Sequence, residues 1–176
     1  RLARHATVEV LTTCARDYVT WKNELPECEE TINRVRVRRF PVSTPRDPGH
    51  FGALSRRVFE DTHSLADELT WLESEGPTSP ALVQHIAKQA GTFDFFLFFS
   101  YRYYHAFHGA RAAGTKAILV PTAERDPAAG LSIFALFTVT ALSTATALRL
   151  PSVAKNSPCL ACSLTCRASC NLPKRN

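Results

Sequence analysis

The chain has 176 residues, of which 45% are hydrophobic and 21% are charged, a composition typical of a globular protein with one core. Residues 1–126 contain all 16 acidic residues and 16 of the 21 lysines and arginines, so the net charge of +5 comes from the remaining residues. This balance gives no reason to expect nucleic-acid binding. No apolar run reaches the roughly 18 residues that a membrane-spanning helix needs.

The first 41 residues predict two strands separated by a polar loop. Residues 7–13 (TVEVLTT) are rich in β-branched residues and predict a strand. Residues 15–30 predict a loop, in which Trp21 is either a lid over the edge of the core or a ligand platform. Residues 32–41 contain VRVRRF, whose alternation is typical of a half-buried or edge strand. Its arginines form either a solvated face or a site for an anionic ligand.

Two helical segments follow a loop rich in proline and glycine. Residues 53–73 have leucines at near-helical spacing and predict a helix with a break around Thr62. A second helix is predicted to begin at Ser79-Pro80 and to end at Gly91. Pro80 needs no donor at the first helical position, and we expect Ser79 to accept hydrogen bonds from free amides as the N-cap.

Residues 92–122 predict a strand, a helix and a strand. The apolar run at 93–99 suits a strand buried on both faces, and residues 103–113 can be helical. Gly114 follows as a helix-ending glycine, and residues 117–120 form the second apolar run. Two strands joined by such a helix form a parallel βαβ unit. The predicted fold class is therefore α/β, with a partial parallel sheet and helices on both of its faces.

The candidate functional residues lie where these two strands end, because ligands of parallel sheets bind beyond the carboxyl ends of the strands. Polar residues at both ends are the candidate ligand-binding set: Ser100, Tyr101, Tyr103, Thr122, Glu124 and Asp126. Their alternative interpretation is the ordinary polarity of strand ends and loops.

Residues 135–176 differ from the rest of the chain. They contain no acid and no glycine, and they mix helix and strand formers without clear periodicity. We expect an irregular tail outside the fold and hypothesise a shifted reading frame from about Ala135. The spacing of the tail's four cysteines is close to that of a ferredoxin motif but does not match it, which favours adventitious thiols or disulfides over a metal site. These are Cys159, Cys162, Cys166 and Cys170.

Two histidines and several missing motifs bear on catalysis. His105 and His108 share a helix face, and surface or packing roles suit them better than acid–base work. The sequence contains no nucleophile elbow, phosphate loop or dinucleotide fingerprint, so it encodes no familiar nucleotide-binding site. No metal site is expected.

Four sequence segments together suggest a protein family: LARHATVEVLTTCARDYVTWKNELPE, VRVRRFPV, GPTSPALVQHI and FDFFLFFSYRYYHAFHGARAAGTKAILVPTAERDPA. Residues 2–134 resemble the N-terminal half of bacterial group 1 (family 4) glycosyltransferases. The resemblance implies one half of a GT-B fold, a Rossmann-like domain that receives the acceptor. The other half of such enzymes binds a nucleotide-sugar, and transfer retains the anomeric configuration without a bound metal. A cytoplasmic location follows, with peripheral membrane contact left open.

The chain departs from the family's pattern, and these departures determine which part of the enzyme's activity we expect it to have. The opening strand with its glycine-rich turn and the whole donor domain are not represented. Arg34 stands where a turn glycine is expected, and the glutamate pair Glu60 and Glu68 matches the family's spacing only by accident. We therefore expect a truncated hexosyltransferase-type domain at 1–134, inactive alone, and a separate tail at 135–176. By this resemblance, the six candidate residues at the strand ends would bind a sugar or glycan acceptor, and the domain would use no cofactor beyond the donor. The alternative is a non-catalytic α/β domain that binds a glycan or a protein partner.

Overall fold

The computed structural model describes residues 2–122, 125–135 and, for the backbone alone, 163–168. Its strands are β1 (Ala6–Thr13), β2 (Glu29–Ile32), β3 (Val35–Phe40), β4 (Phe95–Phe99), β5 (Ala117–Val120) and β6 (Ser163–Ala168). Its α-helices are α1 (Pro48–Glu60), α2 (Leu65–Glu75), α3 (Pro80–Gln89) and α4 (Tyr104–Ala113). Short 3-10 helices occupy Leu2–Arg4, Gly114–Lys116 and Pro127–Gly130, and residues 132–135 are helical.

The strands form one sheet in the order β2-β3-β1-β6-β4-β5. β1 pairs in parallel with β3, and β4 pairs in parallel with β5. β6 is antiparallel to both β1 and β4, so β1, β3, β4 and β5 all run in the same direction. The carboxyl ends of these four strands therefore lie on one edge of the sheet.

The α/β class and the predicted parallel pair β4–β5 are confirmed, but the sheet is mixed rather than parallel. β2 is antiparallel because the two-residue turn Asn33–Arg34 joins it to β3, and so short a connection serves only antiparallel neighbours. β2 therefore forms the outer edge, and the VRVRRF strand lies inside it. A Rossmann-like topology stays a prediction.

β6 lies inside the segment that was expected to be an irregular tail. Its six residues pair with β1 on one side and β4 on the other, so this part of the segment is not irregular. The interval 136–162 and residues 169–176 lie outside the described residues, and so do the side chains of β6. The domain boundary at residue 134 and the frameshift hypothesis therefore stay predictions.

The main core lies between the sheet and helices α3 and α4. Leu11, Phe40, Phe96 and Phe98 from the strands pack against apolar residues of these helices. Gly109 permits the close approach of α4, since a Cβ there would lie 2.7 Å from Cε1 of Phe98. A second cluster packs α1 and α2 against α4 and residues 128–134.

β4 is not buried on both faces as its continuous apolar run predicted. Phe96 and Phe98 are fully buried, whereas Phe95 is 46% exposed. The strand alternates because the described helices α3 and α4 cover the face that Phe96 and Phe98 share. Helices on the second face stay a prediction.

The helix boundaries follow local chemistry, with two corrections. α1 begins at Pro48 rather than at residue 53, because the side chain of Asp47 accepts hydrogen bonds from the amides of Gly49 and His50 as the N-cap. The expected break near Thr62 separates α1 from α2, and Ser64 forms a capping box with Asp67 at the start of α2. Pro80 opens α3, but Ser79 provides no side-chain cap. Its buried hydroxyl instead donates to the carbonyl of Pro41 over 2.8 Å, because a buried hydroxyl takes the nearest acceptor.

Candidate functional site

The carboxyl ends of β4 and β5 meet at the edge where parallel strands present their ligands. Ser100 follows β4, and its amide donates to the carbonyl of Val120 at the end of β5 over 2.9 Å. Ser100 has φ 66°, and Thr122, two residues beyond β5, has φ 43°. Left-handed backbone is unfavourable for residues with a Cβ, most of all for β-branched threonine. Such conformations concentrate at binding sites and active sites.

The structure brings two further predicted residues together at this edge. Tyr101 is buried, and its hydroxyl donates to Oδ2 of Asp126 over 2.7 Å. Burial and this hydrogen bond raise the pKa of Tyr101, so the phenol stays protonated at neutral pH. Asp126 also accepts from the amide of Ala128 over 3.0 Å at the start of a 3-10 helix. Tyr101 and Asp126 thus connect the two loops that follow β4 and β5.

The remaining predicted residues differ in position. Thr122 is exposed and Ser100 is half-buried. Tyr103 is also half-buried, and its ring meets Trp21 edge-on with 5.8 Å between centroids. Glu124 lies outside the described residues. The hydroxyl-bearing side chains of Ser100, Tyr103 and Thr122 are therefore the described candidates that a ligand could reach.

A buried ion-pair network supports this edge, and the sequence did not predict it. Glu75, at the end of α2, lies 2.8 Å from Nη2 of Arg46 and 2.7 Å from Nε of Arg102. Arg102 in turn lies 3.0 Å from Asp126. The chain of contacts runs Arg46–Glu75–Arg102–Asp126–Tyr101. It joins the loop before α1, the end of α2 and both strand-end loops into one unit.

Burial and ion pairing shift the pKa values of the network's charged groups in opposite directions. Burial raises the pKa of Glu75, and the guanidinium groups of Arg102 and Arg46 oppose that effect. Burial alone would lower the pKa of Arg102, but Glu75 and Asp126 outweigh it and raise that pKa. Both carboxylates are engaged with arginine, so the network is suited to orienting loops rather than to supplying a free base.

Aromatic rings enclose the cationic end of the network. The Arg46 guanidinium carbon lies 4.3 Å from the ring centre of Phe51 and 5.3 Å from that of Trp21. Trp21 is buried, and its indole nitrogen donates to the carbonyl of Glu75 over 2.7 Å. Trp21 therefore covers the core, as the lid interpretation expected, and its buried ring offers no platform for a ligand.

The two histidines of α4 lie in different surroundings. His105 is fully buried, and burial lowers its pKa to about 4. His108 is half-buried beside Tyr104, with 4.4 Å between ring centroids. Burial also lowers the pKa of His108, with a smaller contribution from Arg111. His105 therefore has a packing position, as one of its two interpretations expected.

The arginines of β3 form a ladder of ion pairs with β2. Arg36 and Arg38 lie 3.4 Å and 3.7 Å from Glu29, and Arg39 pairs with Glu30. These side chains lie on strands at the far end of the sheet from β5. The pairs match the solvated-face interpretation of VRVRRF.

Across residues 2–122 and 125–135, no group of three or more histidines, cysteines or acids is arranged to hold a metal ion. The cysteine cluster of the tail falls outside the described side chains. None of the helices in the described ranges is long and apolar enough to cross a bilayer.

In comparisons with known proteins, no family model, curated protein or solved structure matches the chain.

Proposed function

We propose that this chain is the acceptor-side domain of a nucleotide-sugar-dependent, retaining glycosyltransferase of the hexosyltransferase type, working in the cytoplasm. In this proposal, residues 1–134 bind a sugar or glycan acceptor at the carboxyl edge of the sheet. The nucleotide-sugar is a co-substrate that another domain binds, so the chain alone is inactive. No residue is assigned as a catalytic base.

The observation that carries the proposal is the paired left-handed backbone at Ser100 and Thr122. These two residues follow adjacent parallel strands, at the edge where ligands of such sheets bind. Strained backbone outside a turn costs free energy that the rest of the fold must supply, and such strain is most often kept at functional sites. The sequence resemblance, which covers this stretch, supplies the choice of a sugar.

Each described residue has a role in the proposal. The hydroxyls of Ser100 and Thr122 hydrogen-bond to the acceptor and orient the hydroxyl that accepts the glycosyl group, and the half-buried side chain of Tyr103 borders the same site. Tyr101 and Asp126 fix the two loops that carry them. Orientation of this kind accelerates group transfer by removing the entropy cost of bringing the reactants together.

Two assays on the purified chain test the proposal. Methyl glycosides of glucose, galactose and mannose are titrated and binding is followed by NMR, while several nucleotide-sugars are incubated and donor hydrolysis is measured. We expect saturable glycoside binding without hydrolysis. Thr122→Gly should weaken binding, because it removes a hydroxyl while its glycine accepts the left-handed backbone. Absence of binding to every glycoside contradicts the proposal, and donor hydrolysis contradicts the inactivity of the chain alone.

A non-catalytic binding domain is the second candidate. The engagement of both Glu75 and Asp126 with arginine favours it, because neither carboxylate is free to act as a base. Sequencing the DNA beyond codon 134 in all three frames discriminates the two candidates. A donor-domain sequence there supports the glycosyltransferase, and an intact, repeatedly confirmed frame through codon 176 supports the binding domain.

A further inference from the structure

His105 is a buried polar side chain that the described contacts leave unsatisfied. It is 1% exposed, and neither ring nitrogen has a hydrogen-bond partner among the residues that the structure describes. Buried polar groups in folded proteins are nearly always hydrogen-bonded, because an unmade bond forfeits the hydration of the group. An unsatisfied imidazole in the core therefore requires an explanation.

The position of the ring points to the N-terminal end of α4. His105 is the second residue of this helix, and its ring stacks on that of the N-cap residue Tyr103, with 5.9 Å between centroids and 9° between planes. Tyr103 provides no side-chain cap for the helix. The half-buried ring of Tyr103 contacts both His105, by stacking, and Trp21, edge-on.

The protonation state of His105 selects the chemistry of a ligand. Burial lowers its pKa to about 4, so the imidazole is neutral at pH 7, with one nitrogen donating and the other accepting. A hydroxyl group matches either nitrogen, since it both donates and accepts. A carboxylate matches only the donor, and an ammonium group matches only the acceptor.

We propose that His105 is the hydrogen-bonding centre of a small site for a hydroxyl group at the N-terminal end of α4, and that the ring of Tyr103 closes this site. The choice of a saccharide hydroxyl as the ligand rests on the proposed function. Rotation of Tyr103 away from His105 opens the site, and a hydroxyl of the acceptor then takes the place next to the imidazole.

The probe is methyl α-D-glucopyranoside, titrated into the isotope-labelled full chain. The ring resonances of His105 are assigned from the spectrum of His105→Gln and followed by NMR. We expect saturable shifts of these resonances in the wild-type chain. In Tyr103→Ala the same shifts should saturate at a several-fold lower concentration, because the closed state no longer competes with binding.

Tyr104→Ala is the matched control. Tyr104 is the neighbouring tyrosine, and its ring lies against His108 instead of stacking on His105. This variant should change the resonances of His108 and leave the titration of His105 as in the wild type. If Tyr103→Ala and Tyr104→Ala both bind the glycoside more tightly, and by the same factor, the proposal that Tyr103 closes the site is contradicted.

The outcomes separate this site from the proposed function. Shifts at the amides of Ser100 and Thr122 with no change at His105 overturn the His105 site and leave the proposed function standing. No shift at either place, with this glycoside or with the methyl glycosides of galactose and mannose, overturns both. If Tyr103→Ala does not fold, the wild-type titration still decides, because an unresponsive His105 ring overturns the site.

Discussion

Ser100 and Thr122 follow two adjacent parallel strands, and both have a left-handed backbone, with φ of 66° and 43°. The amide of Ser100 donates to the carbonyl of Val120, which ties the two strand ends together. Neither residue is a glycine, so both conformations are unfavourable. We therefore expect this edge of the sheet to gain stability when the strain is removed and to lose binding when the hydroxyls are removed.

The first prediction separates strain from function by glycine substitution. Thr122→Gly should raise the free energy of unfolding by about 1 kcal/mol, the cost of left-handed backbone for a residue with a Cβ. It should also weaken glycoside binding. Chemical denaturation measures the first effect, and NMR titration measures the second.

Arg34→Gly is the control for this prediction. Arg34 has φ 68° in the turn between β2 and β3, where glycine is preferred. Its substitution should stabilise the chain by a similar amount, about 1 kcal/mol, and leave glycoside binding unchanged. Loss of binding in Arg34→Gly would show that the assay reports stability rather than the site.

The second prediction concerns Glu75 at the centre of the ion-pair network. Glu75→Gln should destabilise the chain by about 3–5 kcal/mol, because it leaves the largely buried charge of Arg46 without its carboxylate partner and removes one of the two carboxylates that pair with Arg102. Glu29→Gln is the comparison, since the Glu29 side chain is 45% exposed in its pair with Arg36. An exposed pair contributes under about 1 kcal/mol. Urea denaturation giving equal losses would contradict the structural role of the network.

The third prediction uses two helical glycines with opposite surroundings. Gly109→Ala should destabilise the chain by about 1–3 kcal/mol through overpacking, because the new Cβ would meet Phe98 at 2.7 Å and Ile86 at 2.9 Å. Gly52→Ala, in α1, meets no atom within 4 Å and should stabilise by up to about 1 kcal/mol through helix propensity. Thermal denaturation that shows both variants stabilised would contradict the described packing of α4 on β4.

The fourth prediction is a pH dependence centred on Glu68 and His63. Burial opposes ionisation of Glu68, but hydrogen bonds from the amides of Ile133 and Ser132 and from His63 outweigh it and lower the pKa of Glu68. The pKa of His63 is raised, mainly by its hydrogen bond with the carbonyl of Asp61 and, to a smaller extent, by its hydrogen bond with Glu68. Ionised Glu68 therefore stabilises the fold at pH values above its ordinary pKa of 4.5, and this stabilisation is lost as the pH falls through the lowered pKa. Protonated His63 stabilises the fold at pH values below its ordinary pKa of 6.5, and this stabilisation is lost as the pH rises through the raised pKa.

Both effects are present together between pH 4.5 and 6.5, so the pair should contribute most in this window. His63→Gln should reduce the melting temperature there and have a smaller effect at pH 8. The difference between the wild-type and variant profiles is the measurement, because His85, His105 and His108 also titrate with lowered pKa values. A difference that is constant from pH 5 to pH 8 would contradict the ion pair.

Local patterns predicted much of the secondary structure. The β-branched run at 7–13 became β1, the leucine periodicity with its break became α1 and α2, and the 92–122 stretch became β4, α4 and β5. Each of these elements is determined largely by residues close in sequence, because the spacing of their apolar side chains indicates which side of the strand or helix is buried. β2 was missed because EETI follows a polar loop and all four residues are exposed.

Long-range contacts were not accessible to the same reasoning. Glu75 meets Arg46, 29 residues before it, and Arg102, 27 residues after it, and no local pattern marks these three as partners. The pairing of β6 between β1 and β4 likewise depends on backbone hydrogen bonds, which any residue type except proline can make. At the candidate site, the strand ends were predicted, but their left-handed backbone and their support by the network were not.

The most direct test of the proposed acceptor site is an NMR titration of the labelled chain with the methyl glycosides of glucose, galactose and mannose, followed at every backbone amide. We predict saturable shifts concentrated at Ser100, Tyr103 and Thr122 and weakened in Thr122→Gly. Shifts that are absent, or that fall on the VRVRRF strand and spare these three residues, would contradict an acceptor site at the carboxyl edge of the sheet.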